Sequence, residues 1–159
     1  MNAIPKGKDP DFLSESALGA FYTGRNVAAP PSVGAVEEIL RWRNLNFREL
    51  KIVLIGAGFL IGKPVGFWLQ DKVAELTVFD ASVKYVRKKL KGADVVVSGA
   101  GHPDLFSADD LREGALVIDF GFNKVGEKIV GDFSPASSSR QIPGFEGGIV
   151  AYTPTPGGT

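Results

Sequence analysis

The sequence predicts an α/β protein, a Rossmann-type doubly wound sheet that is mainly parallel, and three observations carry that prediction. Apolar runs of strand length alternate with helix-like segments from residue 52 onward, the order that builds a parallel sheet covered by helices. The run Ile52-Val-Leu-Ile55 passes straight into Gly56, Gly58 and Gly62, and an apolar stretch of helical length follows. The run Glu75-Leu-Thr-Val-Phe79 reads as a second buried strand, closed by Asp80.

The elements follow in order. Residues 1–31 are rich in Pro, Gly and polar side chains and show little periodicity, so they read as a connecting segment with a short helical piece near Glu15–Tyr22. The folded domain is expected over residues 32–159. Pro30-Pro31 stops the chain and offers Ser32 as an N-cap. Val33, Val36, Ile39, Leu40 and Trp42 then recur at near-helical spacing to about Arg43. Strand 52–55, helix 61–70, strand 75–79, helix 83–91, strand 94–98, helix 107–112 and strand 115–119 come next. Ser107 with Asp110 has the form of a capping box. Lys124–Val130 reads as a hairpin or loop excursion, Ser134–Ser139 as a low-complexity loop and Gly148–Tyr152 as a last short strand.

Composition narrows the function classes. With 159 residues, 44% hydrophobic and 23% charged, the chain can bury one ordinary core. Lys+Arg and Asp+Glu both number 18, a balance that points to neither nucleic acid nor an anionic membrane. The absence of cysteine excludes disulfides, thiolate metal sites and a thiol nucleophile. No apolar run has transmembrane length and the N-terminus lacks the form of a signal peptide, so a cytoplasmic location is expected. The one histidine, His102, precedes a proline in a turn and is assigned no metal or proton-relay role. No metal site is expected.

A strand that ends in glycines and turns into a helix aims backbone N–H groups, at the positive end of the helix dipole, toward a pyrophosphate. The spacing G-x-G-x-x-x-G is one residue longer than the common dinucleotide fingerprint. Asp80 follows the glycines by roughly the 20 residues at which an acid hydrogen-bonds the adenosine ribose. A carboxylate there repels a 2′-phosphate and favours NAD over NADP. Ligands of such folds bind at the carboxyl ends of the strands, here Gly56–Ile61, Phe79–Ser82, Ser98–Pro103 and Asp119–Asn123.

Five segments then carry a resemblance. They are Ile55-Gly-Ala-Gly-Phe-Leu-Ile-Gly-Lys-Pro64, Ala93-Asp-Val-Val-Val-Ser-Gly-Ala-Gly-His-Pro103, Gly114-Ala-Leu-Val-Ile-Asp-Phe-Gly-Phe-Asn123, Val130-Gly-Asp132 and Thr153-Pro-Thr-Pro-Gly-Gly158. In that order they resemble the C-terminal cofactor domain of the methylenetetrahydrofolate dehydrogenase/cyclohydrolase family. The resemblance implies a dinucleotide site at Gly56, Ala57, Gly58, Phe59, Leu60, Ile61 and Gly62, with Asp80 and Ala81. Ala100 and Gly101 after the third strand, and Gly121, Phe122 and Asn123 after the fourth, complete it. Lys8-Asp-Pro-Asp11 is similar to a family motif whose second Asp holds the pterin, which makes Asp11 the candidate, and Pro156, Gly157 and Gly158 resemble the loop along the folate.

The activity so implied has two steps: hydride transfer from 5,10-methylenetetrahydrofolate to a nicotinamide, then hydration of the methenyl cation and ring opening. The family's catalytic Tyr-x-x-x-Lys helix and Gln belong to an N-terminal domain that these residues do not include, and residues 1–31 correspond to its junction. Tyr85-Val-Arg-Lys-Lys89 has that spacing but falls on a crossover helix, so Lys89 is read as solvated. No catalytic residue is assigned, and the chain is expected to bind dinucleotide without turnover. Members that prefer NADP often carry an Arg-Ser after the first glycine and a His-Ser pair after the second strand, whereas Ala57-Gly58 and Asp80-Ala81 stand here. NAD is therefore favoured, although Lys84 or Arg87 could reach a phosphate. Homodimers are common in the family. A free-standing dinucleotide-binding or regulatory module, and a shikimate-type dehydrogenase domain, are the alternative readings.

Overall fold

A computed structural model of the chain describes residues 4–5, 7–25, 28–80 and 86–134, together with the backbone of a strand at 151–152. It divides into two compact units, residues 1–45 and 46–159.

The first unit is helical. Helix α1 (Glu15–Tyr22) starts where Ser14 Oγ accepts the Ala17 amide. Just upstream, Asp9 accepts the Leu13 and Ser14 amides at 2.9 and 2.8 Å. Hydrogen bonds from the Ser14 side chain and the Leu13 amide lower the Asp9 pKa. Helix α2 (Pro31–Trp42) buries Val33, Val36 and Leu40, spaced for one helical face. Its N-cap is Pro30 and not Ser32, which lies buried inside the first turn. Pro31 takes the first helical position, where its fixed φ suits the helix and its missing N–H costs nothing, and the Val33 and Gly34 amides bond to Pro30 O at 2.9 and 3.1 Å.

The second unit is the sheet. Strands β1 (Lys51–Ile55), β2 (Glu75–Phe79), β3 (Val95–Ser98) and, further on, β5 (Leu116–Asp119) run parallel in the order β2-β1-β3-β5. The backbone of β9 (Ala151–Tyr152) adds a parallel fifth strand beyond β5. Between β3 and β5 lies β4 (Phe106–Ser107), which pairs with β8 (Phe133–Ser134), and β6 (Asn123–Val125) and β7 (Lys128–Val130) form an antiparallel hairpin. That hairpin is the excursion expected at 124–130. Its turn uses Gly126 at φ +61°, a conformation glycine adopts without strain. Ser134 is a buried strand residue, not the start of a loop; residues 135–139 lie outside those described.

Side chains alternate across a strand. Val53, Val96 and Val117 share one face by register and join Val86 and Leu90 of helix α4 (Val86–Leu90), Phe106, Leu111 and Phe133 in one buried cluster. Leu54 points to the other face, where helix α3 (Gly62–Leu69) approaches so closely that a Cβ on Gly66 would meet Leu54 Cδ2 at 3.2 Å. Burial on both faces accounts for the unbroken apolar runs of β1, β3 and β5.

The helix expected at 107–112 is a single 3-10 turn, Ala108–Asp110. Its capping box is present, with the Ser107 amide donating to Asp110 Oδ2 at 2.9 Å. Leu111 then turns extended (φ −103°, ψ 158°) and Gly114 takes φ +75°, which ends the helix and feeds β5. Among the described residues no helix is long and apolar enough to cross a membrane.

Candidate functional site

The carboxyl ends of β2, β1, β3 and β5 stop level. Register aligns Phe79, Ile55, Ser98 and Asp119 across β2, β1, β3 and β5. Three further bonds carry the ladder one residue on: Gly56 N–H to Phe79 O (2.8 Å), Gly99 N–H to Ile55 O (2.9 Å) and Phe120 N–H to Ser98 O (2.7 Å). The predicted glycine turn, Asp80, Ala100-Gly101 and Gly121-Phe122-Asn123 thus leave the sheet from adjacent positions along one edge. Ala81, Lys84, Tyr85, Pro156, Gly157 and Gly158 fall outside the described residues.

Each glycine of the turn is needed for a different reason. Gly56 has φ +93°, and a Cβ there would lie 2.6 Å from Gly99 O. A Cβ on Gly62 would overlap Gly56 O, so the start of α3 presses directly on the backbone it leaves. On Gly99 it would meet Ile61 Cγ2 at 2.9 Å. Gly58 differs. Its φ is ordinary for any residue, and nothing lies within 4 Å of where its Cβ would be. Packing therefore accounts for Gly56, Gly62 and Gly99 but not for Gly58, whose Cβ direction opens into free space. At the start of α3 the Lys63 amide donates to Gly58 O at 2.9 Å and Pro64 has no N–H, which leaves the Gly62 amide as the first-turn donor for a ligand. These features fit the phosphates of a dinucleotide.

Around the turn, Phe59, Leu60 and Phe122 are 43, 56 and 48% exposed, an apolar rim suited to planar rings. Asp80 is exposed at the end of β2, one residue beyond the carbonyl that receives the Gly56 amide. Arg87 lies on α4 with its Nε 3.8 Å from Asp110 Oδ2, and Lys89 is exposed on the same helix. His102 is exposed, with its backbone amide bonded to Asp132. Asp11 is exposed in the other unit.

Sequence reasoning missed a pair of buried carboxylates beneath these loops. Asp119 and Asp132 are 1 and 0% exposed. Asp132 Oδ2 accepts Ser98 Oγ–H and the Ala100 amide, both at 2.7 Å. Its Oδ1 accepts the His102 amide at 2.9 Å and Asn123 Nδ2–H at 3.2 Å. Asp119 accepts the Gly121 amide at 2.7 Å and the Phe133 amide at 2.9 Å. The packing is reciprocal: a Cβ on Gly121 would overlap the Asp132 carboxylate, and one on Gly131 would overlap Asp119 Oδ2. Burial pushes the Asp119 carboxyl up to about 6; the Phe133 and Gly121 amides oppose the shift and the Asp132 charge adds to it. The available signal was an acid closing an apolar strand, Ile118-Asp119, with a second Gly-Asp just after the hairpin.

Comparison with known proteins gives a consistent result. The family described as "Tetrahydrofolate dehydrogenase/cyclohydrolase, NAD(P)-binding domain" matches residues 30–159. The bifunctional protein FolD of Clostridium tetani is 32% identical over 98% of this chain and 57% of its own length. Among solved structures, the FolD methylenetetrahydrofolate dehydrogenase/cyclohydrolase of Campylobacter jejuni superposes with a TM-score of 0.76 at 26% identity, covering 98% of this chain and 54% of that one. The Trypanosoma brucei enzyme, solved with NADP and an inhibitor, gives the same TM-score at 28% identity, with 98 and 54% covered. The chain spans about half the length of the curated relatives it matches.

Proposed function

We infer the function from one premise: this chain belongs to the tetrahydrofolate dehydrogenase/cyclohydrolase family, whose NAD(P)-binding domain it matches over residues 30–159. The whole protein is then a 5,10-methylenetetrahydrofolate dehydrogenase and 5,10-methenyltetrahydrofolate cyclohydrolase of one-carbon metabolism, and this chain is its cofactor half. The observation that carries the reading is the open Cβ direction of Gly58 within a turn whose other glycines are fully packed. Gly56 through Gly62 would hold the pyrophosphate, Asp80 the adenosine ribose, and the loops of Ala100-Gly101 and Gly121-Asn123 the nicotinamide half. A dinucleotide bound there would supply the hydride acceptor, and these loops would orient its ring.

The carboxylate of Asp80 supports a preference for NAD, since a 2′-phosphate would meet it at close range. The Trypanosoma brucei enzyme was solved with NADP, so a preference for NAD would set this chain apart from it. Asp11 and Pro156-Gly157-Gly158 are proposed on the folate side, and a homodimer is proposed on resemblance alone. Binding without turnover by these 159 residues is proposed from the resemblance, whose Tyr-x-x-x-Lys helix they do not include. Dehydrogenase activity of this chain, assayed with methylenetetrahydrofolate and either dinucleotide, would overturn that.

The direct test is Gly58→Ala. Its methyl group meets no protein atom, so the thermal midpoint is expected to stay within a few degrees, while dinucleotide affinity falls about tenfold or more as the methyl takes ligand space. Unchanged binding of both NAD and NADP by this variant would remove the main support for the site. Tighter binding of NADP than NAD by the unaltered chain would refute the selectivity argument and leave the site standing.

A further inference from the structure

We propose that Asp132 is a positioning residue that shapes the nicotinamide half of the site and leaves the adenosine half alone. The inference rests on the reading that a dinucleotide lies across these strand ends.

Asp132 is fully buried and so acts through other groups. Its four donors come from two neighbouring strand ends: Ser98 at the end of β3, Ala100 and His102 in the loop after it, and Asn123 beyond β5. Two donors meet each oxygen, a pattern that only an acceptor-only carboxylate satisfies in full. One side chain therefore fixes both loops and their separation. The Asp132 main chain adds to this, its carbonyl accepting the Leu105 amide at 2.8 Å. Gly121 is what lets the carboxylate sit so close, since any Cβ there would overlap it.

The topology gives the effect its direction. In the order β2-β1-β3-β5, a dinucleotide at the strand ends has one half over β1-β2 and the other over β3-β5. The glycine turn after β1 and Asp80 after β2 belong to the adenosine half. All four donors to the Asp132 side chain lie on the other half. Loss of the clamp should loosen the loops under the nicotinamide while the phosphate cradle keeps its own packing.

The experiment is calorimetric titration of the 159-residue chain and its Asp132→Asn and Ser98→Ala variants with NAD, NADP and ADP, alongside thermal melts. Asparagine keeps the shape of Asp132 but turns one acceptor into a donor that faces two donors. The better-bound dinucleotide is expected to weaken about ten- to a hundredfold in Asp132→Asn, with ADP binding held within about twofold. Ser98→Ala removes one donor and keeps the carboxylate, so a smaller loss of dinucleotide alone is expected, about three- to tenfold. If Asp132→Asn does not fold, Ser98→Ala decides by the same ratio. Equal losses for dinucleotide and ADP, or no loss for either, would overturn the positioning role, because general destabilisation does not distinguish the two halves. An unaltered chain that binds neither NAD nor NADP overturns the dinucleotide reading itself, and this inference with it.

Discussion

Replacing Gly62 with alanine is expected to cost the protein both its stability and its dinucleotide affinity. A Cβ at this position would overlap Gly56 O and lie 2.8 Å from Ala57 Cα and from the Gly56 carbonyl carbon. All three are backbone atoms, so no side-chain rotation can relieve the overlap. Gly56 cannot retreat easily: it already holds φ +93°, its amide is bonded to Phe79 O at 2.8 Å, and its own Cβ direction is filled by Gly99. The turn and α3 must separate, with a loss of roughly 3 kcal/mol or more in unfolding free energy. Displacing the turn from the phosphates is expected to weaken dinucleotide binding about tenfold or more. Denaturant unfolding and NAD titration of the variant check both effects. The contrast with Gly58→Ala, expected to lose binding at little cost in stability, separates a glycine kept for packing from one kept for ligand. Gly62→Ala with native stability would show that the turn is softer than its contacts imply.

The strands and the glycine turn were legible in the sequence because their causes are local. β1, β3 and β5 are covered on both faces, so nearly every position is apolar, and each run is closed by a Gly, Ser or Asp that marks its end. Gly56 and Gly62 could be read as a turn but not told apart from Gly58, since what fills each Cβ direction comes from elsewhere in the fold. The Ser107-Asp110 box correctly marked a start, but a cap does not measure length, and extended Leu111 ended that helix after one turn. Ser32 was displaced as a cap because Pro31, with its fixed φ, starts the helix one residue earlier and Pro30 O receives the Val33 and Gly34 amides. Asp119 and Asp132 each stood out at the end of an apolar run, but their pairing was not legible. The β6-β7 hairpin folds the chain back so that Gly131 and Phe133 lie against Asp119, and no periodicity or spacing rule reports which residue meets which after such a return.

That same pair gives the protein an unusual response to acid. Most buried acids in salt bridges have a lowered pKa and lose their contribution as pH falls. Asp119 does the reverse, because its largest influence is burial, which penalises the charged form. Its carboxyl is raised from 3.8 to about 6 in the folded protein. Between these values the folded state binds a proton that the unfolded chain has released, so acidification through this window favours folding. Stability from this group is fully present below pH 3.8, declines as pH rises, and is lost above pH 6. The integrated difference is roughly 3 kcal/mol. Asp119→Asn cannot titrate and is expected to lose this dependence. It also turns one acceptor of the Gly121 and Phe133 amides into a donor, so its stability near pH 5 should fall below that of the unaltered chain. Urea unfolding of both proteins from pH 4 to pH 7.5, taken as the difference between them, isolates the group from other titrations. A difference that grows toward low pH supports the assignment. A flat difference, or one that shrinks on acidification, would mean that Asp119 remains ionised in its buried site and that the six hydrogen bonds to the two carboxylates outweigh their burial.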